Sequence, residues 1–436
     1  MFGLFLLTDP LAVHHVKVSA GVYVHYHSLY AAFDQFPSKK GAAHHIQRFA
    51  PILFDTCSPG LLYVIGGEDL PPYQEEGNTT IIRFSETVPN FLQRTISFGR
   101  QLYSVIEPHR RHLRIAHFRD PFSGMPIIDA SERSYKTIYE INGLPSIELP
   151  STYPSMAQHT VDKIRRIEKI CMEKCDHIIT VSQTLKTYLL DNEIREEKIT
   201  VLPNGADCHP AGEKPEDAPE RYLIYFGALQ SWQGVDILLK AFRLLADLAD
   251  LHLVICSSVK ERTAKPYKKL SEKLGVADRL IWKYRLGEQP LRGWLSHAEL
   301  SVAPLRETDR NLTQGCSPLK ILESMAAGVA VVASDLPCVR EIMADGEHGF
   351  LVRPDRPQEL ARSIRVLLEY PEQRRKMGRM GKEHVERAFK WKKTTGRLKV
   401  LYRVLLDSTG PTEQVVENPA VAESDGVFNG NMNTHK

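Results

Sequence analysis

Short apolar, β-branched runs alternate with longer amphipathic segments along almost the whole chain, and this alternation restricts the fold more than any other feature of the sequence. The short runs predict buried strands, and the amphipathic segments between them predict helices. A first series of predicted strands lies at 22–30, 61–67, 79–84, 114–120, 136–143, 177–182 and 198–205. A second series lies at 222–229, 251–257, 279–286, 298–305, 329–336 and 349–354. Strands and helices in alternation predict a parallel sheet that helices cover on both faces.

A Pro-rich, acidic stretch at 209–221 separates the two series and shows no apolar periodicity, so we interpret it as a linker. The sequence therefore predicts an α/β protein with two Rossmann-like, doubly wound domains, at 1–208 and 222–390. Two such domains facing each other would hold a ligand in the cleft between them, at the carboxyl ends of their strands.

The two ends of the chain differ from the rest. A helical pattern covers 391–408, and the polar segment 409–436 has few large apolar residues, which predicts a disordered tail. The first residues, MFGLFLLTDPLAV, are apolar, but Asp9 and Pro10 interrupt them and no basic leader precedes them. We therefore predict neither a signal peptide nor a membrane span.

Composition and charge exclude some classes of function. A net charge of +3 on 436 residues argues against a nucleic-acid binder. Seven scattered cysteines fit a reducing compartment better than a disulfide framework, and together with the missing signal peptide they predict a cytoplasmic protein. Cys171 and Cys175 have helical spacing, but no further ligand completes a set, so we predict no metal site.

The segment GCSPLKILESMAAGVAVVAS (315–334) carries the clearest chemistry. Ser317 is predicted to cap a helix whose first residue is Pro318. Free N–H groups at Leu319 and Lys320 lie at the positive end of this helix, where phosphate binds, and the Lys320 ammonium adds a full charge. Glu323, one turn further, would accept hydrogen bonds from ribose hydroxyls, or it is a solvated residue on an amphipathic helix.

This segment, with the DGEHGFLVRPDRPQELA that follows it, resembles the donor-binding region of family-4 retaining glycosyltransferases of the GT-B fold, in the branch with an S-P-x-K motif. Other stretches agree in the same order: DQFPSKKGAAHHI (34–46), RIAHFRDPFSGMP (114–126), YEINGLPSIELP (139–150), ITVSQTLKTYL (179–189), ITVLPNGAD (199–207) and YFGALQSWQGVDILLKAF (225–242). The resemblance extends from about residue 22 to residue 390. It implies that the helix at 391–408 crosses back to the N-terminal domain.

The resemblance also implies roles for individual residues. Glu323 would bind the nucleotide ribose, and His117 would face the donor sugar; with Lys320 they form the expected catalytic set. The expected donor-binding set is Gly41, Gly227, Gln233, Arg306, Ser317, Pro318, Leu319, Lys320 and Glu323.

The sequence departs from the family pattern at three positions. Gly315 stands where the family commonly has a first glutamate, and Ala228 and Gln233 stand where it has an Arg and a Lys that pair with the diphosphate. We expect Lys320 to be the substitute cation, with Arg306 as a second candidate. Without such a charge, the departing nucleotide would lack stabilisation that is typically worth several kcal/mol.

The resemblance predicts a metal-independent enzyme that moves a sugar from a nucleoside-diphosphate sugar to the hydroxyl of a saccharide or lipid-linked acceptor, with retention and without a cofactor. Two alternatives stay open: a degenerate nucleotide-sugar-binding protein of the same fold, which the three departures favour, and a nucleotide-sugar epimerase. The basic residues at 109–114 and 39–45 predict either peripheral contact with the inner face of a membrane or solvated loops.

Overall fold

The computed structural model describes residues 25–38, 41–67, 69–129 and 133–407. The opening apolar segment, the lysines at 39 and 40, and the tail at 409–436 lie outside the described residues, and so do the predictions made for them. No helix in the described part of the chain is both long and apolar enough to cross a bilayer.

The N-terminal lobe is built on an eight-stranded sheet with the order β3-β4-β2-β1-β5-β6-β7-β8. Its strands are β1 Ser28–Gln35, β2 Gly60–Ile65, β3 Tyr73–Glu76, β4 Thr79–Phe84, β5 Ile115–Phe118, β6 Lys136–Ile141, β7 His177–Thr180 and β8 Ile199–Val201. Its helices are α1 Gly41–Thr56, α2 Phe91–Ile106, α3 Pro121–Ile128, α4 Pro145–Thr152, α5 Gln158–Lys174 and α6 Gln183–Asp191. Every strand pair is parallel except β3 with β4.

The C-terminal lobe has a six-stranded, fully parallel sheet with the order β11-β10-β9-β12-β13-β14. Its strands are β9 Arg221–Gly227, β10 Leu251–Ser257, β11 Leu280–Tyr284, β12 Leu300–Ala303, β13 Val331–Ser334 and β14 Gly349–Val352. Its helices are α7 Val235–Arg243, α8 Lys265–Lys273, α9 Glu288–Ser296, α10 Leu319–Ala326, α11 Pro337–Arg340, α12 Pro357–Glu369 and α13 Pro371–Ala388. The strand order reverses between β9 and β12, and a ligand crevice is expected at such a point.

The last described helix, α14 (Trp391–Asp407), leaves the C-terminal lobe and packs on α1 of the N-terminal lobe. Trp391, Leu398, Leu401 and Leu405 are buried in one apolar cluster that also contains Phe49 of α1. The two lobes therefore share a core at this point.

Several elements differ from those predicted. The first strand begins at Ser28 rather than at residue 22, and the hairpin strand β3 was missed although a left-handed Gly77 forms its turn with Asn78. Helices α3 and α4 were not predicted, and each contains an internal proline, Pro126 or Pro150. A proline in the first turn favours a helix start, and both helices begin with one.

Candidate active site in the interdomain cleft

A cleft of about 870 Å³ lies between the lobes, where the carboxyl ends of β5, β6, β9 and β10 meet the start of α10. Its volume lies within the range of small-ligand sites in proteins. Gly41, Gly227, Gln233, Ser317, Pro318, Leu319, Lys320 and Glu323 all line it. The structure therefore brings together eight of the ten residues that the sequence singled out.

Helix α10 starts one residue later than predicted, at Leu319, and its predicted cap is wrong. No side chain caps the helix, because Ser317 is used elsewhere. Its Oγ accepts a hydrogen bond from the Asn204 backbone N–H at 3.1 Å, and its carbonyl accepts one from Asn204 Nδ2 at 2.7 Å. These buried bonds tie the start of α10 to the loop after β8. Leu319 and Lys320, whose backbone N–H groups have no acceptor within their own helix, both line the cleft.

Gly41 begins α1 on the opposite side of the cleft. A Cβ at this position would lie 3.6 Å from Cδ1 of Leu319, an ordinary contact distance. The starts of helix α1 and helix α10 therefore approach each other across the two lobes. The N-termini of both helices border the same part of the cleft, and this arrangement suits an anionic ligand.

Lys320 of α10 lines the cleft on the side of the C-terminal lobe. Its Nζ donates a hydrogen bond to Gln233 Oε1 at 2.6 Å and lies 4.0 Å from the centre of the Tyr225 ring. Burial lowers the pKa of Lys320 to about 7. Gly227 has a φ of +119°, and a Cβ there would lie 3.6 Å from the same Nζ. The ammonium thus has one neutral oxygen as its hydrogen-bond partner, and an anion in the cleft would supply the charge that it lacks.

Glu323 lies one turn after Lys320 and faces the cleft with a half-buried side chain. No hydrogen bond to its carboxylate is found among the described residues. Burial raises the pKa of Glu323 to about 7, and the nearby Glu288 carboxylate contributes in the same direction. This environment differs from that of a solvated surface glutamate, and it leaves both carboxylate oxygens available to hydroxyl donors.

Arg306, the second predicted cation, points away from the cleft. Its guanidinium pairs with Asp355 at 2.8 Å and lies 3.8 Å from Asp236. Arg310, four residues further in the same loop, lines the cleft instead and contacts Glu148 of α4 at 3.2 Å. The loop forms a π-helical turn over Arg310–Gln314. Arg310 lies in this turn and lines the cleft, whereas Arg306 lies before the turn and does not.

His117 is fully buried and does not line the cleft, so the expectation that it faces a donor sugar is not met in this structure. Its Nδ1 lies 2.7 Å from the Tyr402 hydroxyl of α14, and its Nε2 lies 3.0 Å from Glu140. Burial lowers the pKa of His117, and the neutral ring satisfies both neighbours when Nε2–H donates to Glu140 and Nδ1 accepts from Tyr402.

Glu140 is the centre of a buried polar network beneath the cleft floor. It accepts hydrogen bonds from the Tyr30 hydroxyl at 2.7 Å and from Arg119 Nε at 3.2 Å. Burial raises the pKa of Glu140, but the Arg119 guanidinium and the bond from His117 outweigh this and hold it well below its usual range. Arg119, two residues after His117, reaches the cleft surface and pairs with Asp34 at 2.9 Å.

Sequence reasoning therefore missed Arg119, Arg310, Glu148 and Asp34 as cleft residues. The sequence carried a positional signal for Arg119, which lies at the carboxyl end of the strand predicted at 114–120. Side chains alternate along a strand, and the first residues beyond its carboxyl end reach the crevice. Among the described residues, no group of three His, Cys, Asp or Glu side chains is arranged to hold a metal ion.

Comparisons with known proteins show related sequences and related folds. Residues 62–209 match the family described as Glycosyltransferase Family 4, and residues 211–384 match Glycosyl transferases group 1. An uncharacterized glycosyltransferase of Methanocaldococcus jannaschii is 23% identical over 393 residues, which cover 85% of this chain and 96% of that protein.

Two solved structures are similar over most of the chain. Sucrose-phosphate synthase from Thermosynechococcus elongatus has a TM-score of 0.71 and 16% identity, and the match covers 86% of this chain and 98% of that one. Anabaena HepE in complex with UDP and glucose has a TM-score of 0.67 and 15% identity, covering 87% and 100%. The chain thus has the GT-B fold of glycosyltransferases, with a family 4 match in its N-terminal lobe and a group 1 match in its C-terminal lobe.

Proposed function

We propose that the protein transfers a glycosyl group from a nucleoside-diphosphate sugar to an acceptor hydroxyl, with retention of configuration and without a metal ion. The observation that carries the proposal is the arrangement at the start of α10. Leu319 and Lys320 line the cleft at the start of this helix, and the Glu323 carboxylate, which no described residue hydrogen-bonds, lies one turn away. This spacing suits a diphosphate followed by its ribose.

In the proposed reaction, the bond between the anomeric carbon and the diphosphate oxygen breaks, and the acceptor oxygen forms its bond on the same face. The acceptor proton passes to the departing diphosphate oxygen, so no protein base takes part. Lys320 and the N-terminus of α10 stabilise the developing negative charge in place of a metal ion. The acceptor approaches from the N-terminal lobe, on the side of Arg119 and Asp34.

Support for a nucleotide-sugar donor also comes from a structural relative, since Anabaena HepE was solved with UDP and with UDP-glucose. Which base this chain takes is tested by the melting temperature with UDP, GDP, ADP, TDP and CMP, each with and without magnesium. We expect one nucleoside diphosphate to raise the melting temperature regardless of magnesium. No shift with any nucleotide would contradict the donor site.

A second candidate is a nucleotide-sugar-binding protein that does not catalyse transfer. Gln233 favours it, because a neutral amide replaces a second cation and already bonds Lys320. The two candidates differ in turnover. The test uses the sugar nucleotide that shifts the melting temperature, together with acceptor extracts. Release of its nucleoside diphosphate supports the enzyme. Tight binding with no release under any condition supports the binding protein.

A further inference from the structure

Four of the eight large apolar side chains that are most exposed among the described residues lie on one side of the N-terminal lobe. Leu92, Ile96 and Tyr103 of α2 are 36%, 47% and 42% exposed, and Tyr153 after α4 is 39% exposed. The three on α2 are four and seven residues apart, a spacing that places them on one stripe of the helix. We call these four residues the apolar stripe.

The apolar stripe continues into the cleft. Phe91, the first residue of α2, packs against Tyr153 with tilted rings whose centres are 5.6 Å apart, and it lines the cleft together with Phe33 and Phe122. These three phenylalanine rings lie 5.4 to 5.9 Å from one another. Phe91 and Tyr153 therefore connect the phenylalanine cluster of the cleft wall with the exposed side of the N-terminal lobe.

Positive charge accompanies the stripe. The segment 91–114 contains five arginines and one glutamate, a net charge of +4, whereas the whole chain carries only +3. Arg100 lies beside the stripe and is exposed, and so are Arg111 and Arg114 after the helix. An exposed apolar stripe flanked by arginines is the chemistry of a surface that lies on an anionic bilayer.

We propose that the N-terminal lobe docks on an anionic lipid bilayer through α2, and that the acceptor is a membrane lipid whose polar end enters the cleft past Phe91. The apolar part of that lipid would rest against Phe33, Phe91 and Phe122. The acceptor half of this inference rests on the proposed glycosyl transfer, whereas the docking half stands without it.

Docking is tested by co-sedimentation of the full chain with vesicles of phosphatidylcholine alone and of phosphatidylcholine with phosphatidylglycerol. We expect binding to the anionic vesicles only. In Ile96→Asp we expect a roughly tenfold or larger loss of partitioning into these vesicles, because the substitution removes an apolar side chain from the proposed contact with the bilayer and adds a negative charge. Leu244→Asp is the matched control, because Leu244 is 46% exposed on the C-terminal lobe. That variant should bind like the unchanged protein.

Three results would overturn the docking proposal: no binding to anionic vesicles, equal losses in both variants, or an Ile96→Asp variant that changes oligomeric state in gel filtration instead of vesicle binding. The nucleotide-induced rise in melting temperature should be the same in Ile96→Asp and in the unchanged protein. Vesicle binding without any nucleotide effect would leave the docking half standing and remove the proposed transfer.

The acceptor half has its own measurement. Anionic vesicles that carry a lipid extract should speed release of nucleoside diphosphate from the donor, and Phe91→Ser should lower this stimulation at least several-fold while leaving the nucleotide-induced melting shift intact. Equal release with and without the lipid extract would contradict a membrane-embedded acceptor.

Discussion

At the scale of single residues, Lys320 and Glu323 form an unusual pair. Each is partly withdrawn from water, each has a pKa of about 7, and the lysine hydrogen-bonds only to a neutral amide. A diphosphate in the cleft would return the full charge to Lys320, and ribose hydroxyls would favour the ionised form of Glu323. The proposed donor would therefore supply the charge and the hydrogen bonds that the described residues do not give to Lys320 and Glu323.

Replacing Lys320 tests the first half of this statement. We expect Lys320→Gln to weaken nucleoside-diphosphate binding about 10- to 100-fold, because a charge-assisted hydrogen bond is lost. Lys240→Gln is the control, since that lysine makes only an exposed pair with Asp236. Isothermal titration measures both; equal affinity of Lys320→Gln and the control would remove Lys320 from the site.

The pH dependence of binding tests the pair together. Donor binding needs the ammonium, so affinity should fall as pH rises above about 7, and it needs the carboxylate, so affinity should also fall as pH drops below about 7. Each limb should approach roughly tenfold per pH unit. Titration with an intact nucleotide sugar measures it, and Glu323→Gln should flatten the acid limb alone. A flat profile from pH 6 to 8 would contradict the assignment.

Gly315, where the resemblance implied a glutamate, has no room for a side chain. Its backbone has a φ of +71° and a ψ of 178°, and a Cβ would meet Thr184 Cβ of α6 at 2.7 Å and Ser182 Oγ at 2.9 Å. Only glycine adopts this conformation readily, and the neighbouring lobe occupies the space that a side chain would need.

We therefore expect Gly315→Ala to lower the free energy of unfolding by about 2 to 4 kcal/mol, from backbone strain and overlap together. Gly346→Ala separates the two causes, because Gly346 also has a positive φ, of +75°, but nothing lies within 4 Å of its added Cβ. That control should lose only about 1 kcal/mol. Urea denaturation measures both, and equal losses would show that the interlobe contact at residue 315 is unimportant.

At the scale of elements, α14 does more than cover the N-terminal lobe. Its Tyr402 is fully buried and bonds the ring of His117, which in turn bonds Glu140 and so connects to Arg119. A C-terminal helix thus supports the position of a charged side chain on the cleft surface. His117 belongs to this network and does not line the cleft.

Tyr402→Phe should lower the free energy of unfolding by about 1 to 3 kcal/mol, since it leaves the buried Nδ1 of His117 without a donor. Tyr370→Phe, at a residue that is 59% exposed, should change it by less than about 0.5 kcal/mol. Denaturant titration provides both values. A Tyr402→Phe variant as stable as its control would mean that the network tolerates an unpaired nitrogen.

At the scale of the whole molecule, charged side chains join the lobes near the cleft. Glu341 of the C-terminal lobe accepts hydrogen bonds at the start of α6 from the backbone N–H groups of Gln183 and Thr184, at 2.7 and 2.8 Å. Glu148 of the N-terminal lobe accepts bonds from Arg310 and Gln314. These contacts hold the lobes at the separation that the cleft requires.

Glu341 accepts hydrogen bonds from the N-terminus of α6 across the interface between the lobes, so Glu341→Ala should destabilise the protein by about 1 to 2 kcal/mol. The substitution should also weaken donor binding, because it removes a contact that holds the two lobes together. Glu347→Ala, at an exposed carboxylate, is the control. Thermal unfolding with and without nucleoside diphosphate measures both effects. A Glu341→Ala variant whose stability equals that of the control would show that this interlobe cap contributes nothing.

The amino-acid sequence by itself determined the fold class, because alternating buried strands and amphipathic helices can bury their apolar faces only in doubly wound layers. It also located the start of α10 with Lys320 and Glu323, since a phosphate-binding helix start depends on a few consecutive residues. Local pattern is enough for features of this kind.

Only the tertiary structure decided the partners of those residues. The sequence could not show that Ser317 bonds Asn204, that Arg310 and not Arg306 faces the cleft, or that His117 is enclosed by Tyr402 and Glu140. Each of these outcomes depends on contacts between residues far apart in the chain, and the spacing of nearby residues carries no information about such contacts.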